Sequence, residues 1–195
     1  MEKIFNLVIL DASGSMSIIR EAAHKGLNDT IKQLKSLQRE LPNRRQLLTL
    51  VLFNSDQTEF LYKNTPIQEA GILPLAAYKP NGATPLYDAI GRGIHAVQKA
   101  CAATDAVVVT IITDGEENCS REYNHLKIKT LIERRKQKGW DFTFIGTEGI
   151  DVQAISNSIG ITQNFVFEQS AAGTSQMFER RRKEVDDYNR RLSKR

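Results

Sequence analysis

Two short stretches of this chain crowd carboxylates and hydroxyls together. Asp11-Ala12-Ser13-Gly14-Ser15 offers one carboxylate and two hydroxyls at every second position, and Thr113-Asp114-Gly115 offers a second carboxylate. In an extended turn, side-chain direction repeats every two residues, so Asp11, Ser13 and Ser15 can converge on one point. Gly14 permits a sharp backbone path there. A third hydroxyl, Thr84, stands directly before Pro85. All five groups are oxygen donors. A site built only from oxygen suits hard cations, Mg²⁺ foremost and then Mn²⁺ or Ca²⁺, and does not suit Zn²⁺.

Each residue also has a plainer use. Asp11 and Asp114 can accept backbone N–H bonds in strand-to-helix turns. Ser13 and Ser15 can cap a following helix. Thr84 is a good N-cap with proline at the first helical position. The metal reading rests on the combination, and so on whether the fold brings three separate loops to one place.

The elements that must do so alternate. Ile4 to Leu10 is a nearly continuous apolar run, as expected of a strand buried on both faces. Ile19 to Leu37 carries apolar residues at helical spacing, and Pro42 closes that segment. Leu47 to Phe53 reads as a second strand. The short turn Asn54-Ser55-Asp56 leads to a third strand, Thr58 to Tyr62, and so short a link requires an antiparallel pair. Residues 63–83, with Pro66, Gly71, Pro74, Pro80 and Gly82, read as irregular. A helix starts near Pro85 with Leu86, Ala89, Ile90, Ile94 and Val97 on one face. Ala106 to Ile112 is the strongest strand. Helix 122–138, strand 142–145, a short helix 152–159, strand 165–167 and a last helix 174–192 follow.

This order predicts an α/β fold: a doubly wound, mostly parallel sheet with helices on both faces, in a single domain spanning 1–195. Right-handed crossovers put the first strand beside 106–112. Ligands of such sheets bind beyond the carboxyl ends of strands where the order reverses. The loops after Leu10 and Ile112 therefore come first, and both hold an aspartate.

Asp11-x-Ser13-x-Ser15, Thr84 in GATPLYDAI and Asp114 in TDGEEN resemble the metal-ion-dependent adhesion site of von Willebrand factor A domains. The resemblance covers about residues 1–170 and departs at none of the five positions. It implies six strands in the order 3-2-1-4-5-6 with one antiparallel edge strand. It also implies that Ser13, Ser15 and Thr84 bind the metal directly, that Asp11 and Asp114 bind it directly or through water, and that an acidic residue of a partner protein completes the octahedron. The expected protein is a small, stand-alone, cytoplasmic domain of bacterial type that binds partners and is not an enzyme. Glu116, Glu117 and Asn118 are expected on the rim of the same face, bordered by the 63–83 segment.

Composition fits this reading. The 195 residues are 41% hydrophobic and 26% charged, enough to bury a sizeable core. The net charge of +4 falls entirely on residues 178–195, with eight Lys/Arg against four acids. A neutral body argues against a nucleic-acid surface. The basic tail reads as a solvated helix with cations near its C-terminus, or as a contact for an acidic partner. No apolar run approaches the roughly 20 residues of a membrane span. Cys101 and Cys119 form no disulfide framework or CxxC site, and MEKIFNLVIL runs straight into Asp11 as a first strand, not a leader.

Enzymatic alternatives are weaker. A strand followed by aspartate also opens haloacid-dehalogenase-like phosphatases, with Asp11 as nucleophile. Those need a second aspartate two residues on as general acid, and that position is Ser13. The chain lacks GxxxxGK[ST] and a GxGxxG after a strand. His24, His95 and His125 fall at scattered helical positions, and Cys119 with His125 makes an unsupported nucleophile pair.

Overall fold

The computed structural model describes residues 2–193. Six strands form one sheet: β1 (Lys3–Asp11), β2 (Arg45–Phe53), β3 (Thr58–Pro66), β4 (Ala106–Thr113), β5 (Asp141–Thr147) and β6 (Asn164–Phe167). Their order is β3-β2-β1-β4-β5-β6. Among the described residues only the β2–β3 pair is antiparallel. Five helices cover it: α1 (Arg20–Glu40), α2 (Leu86–Gln98), α3 (His125–Lys136), α4 (Val152–Ser158) and α5 (Ala171–Ser193). The fold is the doubly wound α/β sheet that the alternating pattern predicts.

β1 sits mid-sheet between β2 and β4, in register from Ile4↔Gln46 and Ile4↔Ala106 onward. Its residues alternate between two cores. Val8 and Leu10 join Leu27, Ile31 and Leu34 of α1 and Phe178 of α5. Phe5, Leu7 and Ile9 join Ile90, Ile94 and Val97 of α2 and Ile128 and Ile132 of α3. Each fully buried apolar side chain contributes about 1.5–3 kcal/mol, so both faces of β1 are apolar apart from the buried Asn6, and the nearly continuous run follows. Gly139, at φ +82°, ends the turn after α3 and sends the chain into β5.

Several boundaries differ from the sequence reading, and four of them bear on the site or the helices around it. β3 continues to Pro66, through a region that reads as irregular. Register shifts beside Leu50 absorb the left-handed Asn64 (φ 51°), whose side chain is held by Thr49 Oγ1 (3.1 Å) and Ala96 O (3.0 Å). A 3-10 turn over Gly14–Ile19 precedes α1. α3 begins at His125, not 122, because the N–H groups of Arg121, Glu122 and Tyr123 all donate to the Asp88 carboxylate. α5 begins at Ala171, three residues earlier than read, with Thr174 N already bonded to Ser170 O at 2.9 Å.

Candidate functional site

The sheet order reverses between β1 and β4, so their carboxyl ends open the crevice expected to hold a ligand. Asp11 ends β1. Its Oδ1 accepts Ser13 N at 2.7 Å, and its Oδ2 accepts Thr113 Oγ1, at the end of β4, at 2.6 Å. One carboxylate thus shapes its own loop and clamps it to the neighbouring strand. The Ser13 and Ser15 hydroxyls lie 3.2 Å apart, and Ser15 Oγ donates to Asp114 Oδ1 at 2.7 Å. Four of the five predicted residues therefore share one hydrogen-bonded cluster.

Thr84 arrives on a third loop. Gly14 N donates to Gly82 O at 3.0 Å and Asn81 N to Ala12 O at 2.8 Å, which hold that loop against the first. A Cβ on Gly115 would lie 3.2 Å from Thr84 Oγ1, so the hydroxyl packs beside the residue following Asp114. The structure brings all five residues to one end of the sheet.

The plainer uses of the hydroxyls are not taken up. Ser13 makes no side-chain cap to the 3-10 turn that follows it, and α2 starts at Leu86 with Pro85, not Thr84, in the cap position, one residue later than the sequence reading. The N-terminus of α2 is satisfied from elsewhere: Tyr87 N donates to Glu117 Oε2 (2.9 Å) and Asp88 N to Ser120 Oγ (3.1 Å). Thr84 uses its backbone instead, its N–H donating to Asn118 Oδ1 at 2.8 Å.

Electrostatically the site is short of positive charge. Among the described residues neither Asp11 nor Asp114 takes part in an ion pair. Asp11 is fully buried and Asp114 only 8% exposed. Burial pushes Asp11 up to about 6 against the hydrogen bonds from Thr113 and Ser13, and the Asp114 charge adds to the rise. Burial also raises Asp114, opposed by the bond from Ser15. Two clustered carboxylates without a counter-ion, joined by neutral hydroxyls, fit a small divalent cation. Among the described residues no group of three or more His, Cys, Asp or Glu forms a candidate metal site, so a cation here draws on the hydroxyls. The cluster is open to solvent at Gly14 and Ser15.

Several participants escaped sequence reasoning. Thr113 stands in the strand end already singled out, and its clamp on Asp11 follows from the β1–β4 pairing. Tyr78, in the 63–83 segment, is buried and donates to Asp11 O at 2.7 Å. α1 holds that segment in place: Arg20 donates to Tyr78 O and Leu75 O, and Asn28 exchanges bonds with Leu73. Gln169, before α5, donates to Asp114 Oδ2 at 2.6 Å, a contact with no local signal. On the expected rim, Glu116 and Asn118 are exposed, and Asn118 also accepts Thr84 N, while Glu117 is half-buried. Glu117 accepts bonds from Tyr87, Cys119 and Ser120, while Glu116 alone of the acidic pair stays exposed.

The other candidates disperse. His24 bonds Leu73 O, His95 bonds Gly91 O and Tyr123, and His125 stands edge-on to Tyr87. The basic stretch is largely spent within the fold. Arg180 pairs with Glu184, Lys183 with Glu179, and Arg190 with Asp186 and Glu40, while Arg181 is buried. Lys194 and Arg195 lie outside the described residues.

The strand order and the grouping of these oxygens at the β1 and β4 ends define a class of protein. The chain belongs to the von Willebrand factor type A domain family, whose model matches residues 7–180. Similar solved structures include the D319A mutant of the PilB minor pilin from Streptococcus sanguinis, with TM-score 0.68 and 14% identity over 99% of this chain and 62% of that one. The vWF domain of the type V pili tip protein Mfa5 from Porphyromonas gingivalis matches at TM-score 0.65 and 10% identity, over 95% of both chains. The SpRpn10 VWA domain matches at TM-score 0.63 and 11% identity, over 92% of this chain and 95% of that one. The chain spans about three-fifths of the length of the PilB pilin structures. At these identities the likeness is one of fold. No curated protein matches the chain. No helix among the described residues is long and apolar enough to cross a membrane.

Proposed function

We propose that this chain is a metal-dependent protein-binding module. Asp11, Ser13, Ser15, Thr84 and Asp114 hold Mg²⁺, with Mn²⁺ or Ca²⁺ as substitutes, and a carboxylate of a partner protein completes the coordination. The observation that carries this reading is the cluster itself: two carboxylates from neighbouring strand ends, Asp11 bonded by Ser13 N and Asp114 by Ser15 Oγ with the two serine hydroxyls 3.2 Å apart, and no cationic side chain paired to either carboxylate among the described residues. Five protein oxygens leave one position of an octahedral ion open, three of those five donors add no charge of their own, and a hard cation with an open position takes a carboxylate oxygen from outside.

The chain's own residues prepare the site. Thr113 and the Ser13 amide hold both Asp11 oxygens in place. Gly14 and Ser15 leave the mouth open, and Gln169 lies across Asp114. Asp11 is a poor nucleophile in this setting, with no exposure and both oxygens engaged, which favours binding over phosphoryl transfer. The free thiols of Cys101 and Cys119 suit a reducing, cytoplasmic setting.

Calorimetric titration of EDTA-treated protein with Mg²⁺ and with Mn²⁺ tests the reading. Wild type takes up one equivalent, and Asp11→Ala and Thr84→Ala lose it while keeping the wild-type circular dichroism spectrum. Pull-downs made with Mg²⁺ lose their specific partner on adding EDTA. Absence of binding by either ion, with pull-downs indifferent to EDTA and to Asp11→Ala, overturns it.

A further inference from the structure

On the α1/α5 face of the sheet, away from the cluster of oxygens, lies a cavity of about 30 Å³. Asn6 and Val8 of β1, Thr110 of β4, Gln33 of α1, and Arg181 and Val185 of α5 border it. Three buried polar atoms of these bordering residues have no hydrogen-bond partner: Asn6 Oδ1, Gln33 Oε1 and Arg181 Nη2. Asn6 is 4% exposed and Arg181 5%. Leaving buried donors and acceptors unmet is costly, and three around one small space is unusual.

Their orientations are fixed by neighbours. Asn189 Nδ2 donates to Val185 O at 2.7 Å, which turns Asn189 Oδ1 to accept Gln46 Nε2 at 2.6 Å. Gln46 Oε1 then accepts Asn6 Nδ2 at 2.9 Å. The backbone carbonyl at the head of this relay sets the direction of every amide, and the relay delivers an acceptor, Asn6 Oδ1, to the cavity. Gln33 is set likewise, because its Nε2 donates to Arg182 O at 2.7 Å. Arg181 spends Nε on Thr110 Oγ1 (2.9 Å) and Nη1 on Glu184 (3.2 Å), which leaves Nη2.

We infer that the cavity binds a single structural water molecule, which accepts from Arg181 Nη2 and donates to Asn6 Oδ1 and Gln33 Oε1. The volume suits one water, and although apolar side chains such as Val8, Leu34 and Phe178 make up most of the wall, the three unmet atoms match the usual three hydrogen bonds of a buried one. The alternatives of similar size fit badly. An anion faces two carbonyl oxygens, and a cation faces a guanidinium. The water joins β1, α1 and α5 at a point where direct bonds do not, so it completes the attachment of the last helix to the sheet.

A high-resolution crystal structure and NMR of the full chain test this. Expected are density within hydrogen-bonding distance of all three atoms, and water cross-peaks to the Asn6 and Gln33 side-chain amides with the sign of a long-lived bound water. Gln33→Leu, at a half-buried position, keeps the fold and loses the cross-peak at Asn6. Three results overturn the inference: a resolved cavity without density, a guanidinium bonded directly to Asn6 Oδ1 or Gln33 Oε1, or a Gln33→Leu variant that retains the Asn6 signal.

Discussion

Gln169 Nε2 donates to Asp114 Oδ2 at 2.6 Å, while Ser15 Oγ donates to Asp114 Oδ1 at 2.7 Å. Both oxygens of this carboxylate are thus engaged by the protein, one of them from the loop that leads into α5. If Asp114 serves a cation, the Gln169 amide competes with it for the same lone pairs. Gln169→Ala should then raise Mg²⁺ affinity by about 3–10-fold, the worth of one net hydrogen bond of about 1 kcal/mol. Calorimetry on the two proteins checks this, and equal affinities would show that the amide does not compete.

The metal-free protein should lose stability as pH rises from about 4 to about 6. Burial raises Asp11 from an ordinary 3.8 to about 6, so the folded state holds a proton that the unfolded chain has released. That stabilisation is complete below the unfolded value and is lost as pH climbs through the folded one. The loss is on the order of 3 kcal/mol for a shift of about two pH units, and Asp114, also raised, acts in the same direction. Urea unfolding in EDTA across this range measures it. Asp11→Asn, which keeps an acceptor for Ser13 N, should flatten most of the slope.

Gly26 in α1 packs against the ring of Phe178 in α5, and a Cβ added there overlaps the ring. Gly26→Ala gains helix propensity yet should destabilise by about 1–3 kcal/mol through overpacking. Phe178→Leu in the same chain should recover part of that loss. A double-mutant cycle from urea midpoints decides it, and additive effects would mean the two helices adjust independently.

Asp88 is buried at the first turn of α2 and accepts the N–H groups of Arg121 (2.9 Å), Glu122 (3.0 Å) and Tyr123 (2.9 Å). Asp88→Ala strands three donors and should cost about 2–4 kcal/mol, given the usual worth of bonds to a charged group. Hydrogen exchange at 121–123 should accelerate well before global unfolding. Unchanged protection there would sink the assignment of Asp88 as the anchor of this loop.

Much of this architecture is legible in the sequence because its signals are local. β1 and β4 are buried on both faces, so their runs are apolar but for Asn6 and Thr110 and end visibly at Asp11 and Thr113. The turn between β2 and β3 illustrates the same point through Asn54, whose Oδ1 accepts Asp56 N and Gln57 N and makes the tight reversal into β3. What the sequence hides is tertiary. Gln169 reaches Asp114 across 55 positions. Glu117 spends its charge on Tyr87 N and on amides of its own loop, and Asp88 on amides 121–123, so this acidic loop is a structural knot. Asn64 extends β3 through a left-handed residue that no alternation of apolar and polar positions announces.

The turn closed by Gly139 lies at the amino end of β5, at the end of the sheet opposite the carboxyl ends of β1 and β4. Lys138 is exposed there, while Gly139, at φ +82°, is best left a glycine. A biotin or dye handle attached at this corner would orient immobilised molecules with the oxygen cluster facing the flow, giving sensor measurements a defined geometry without touching the surface under study.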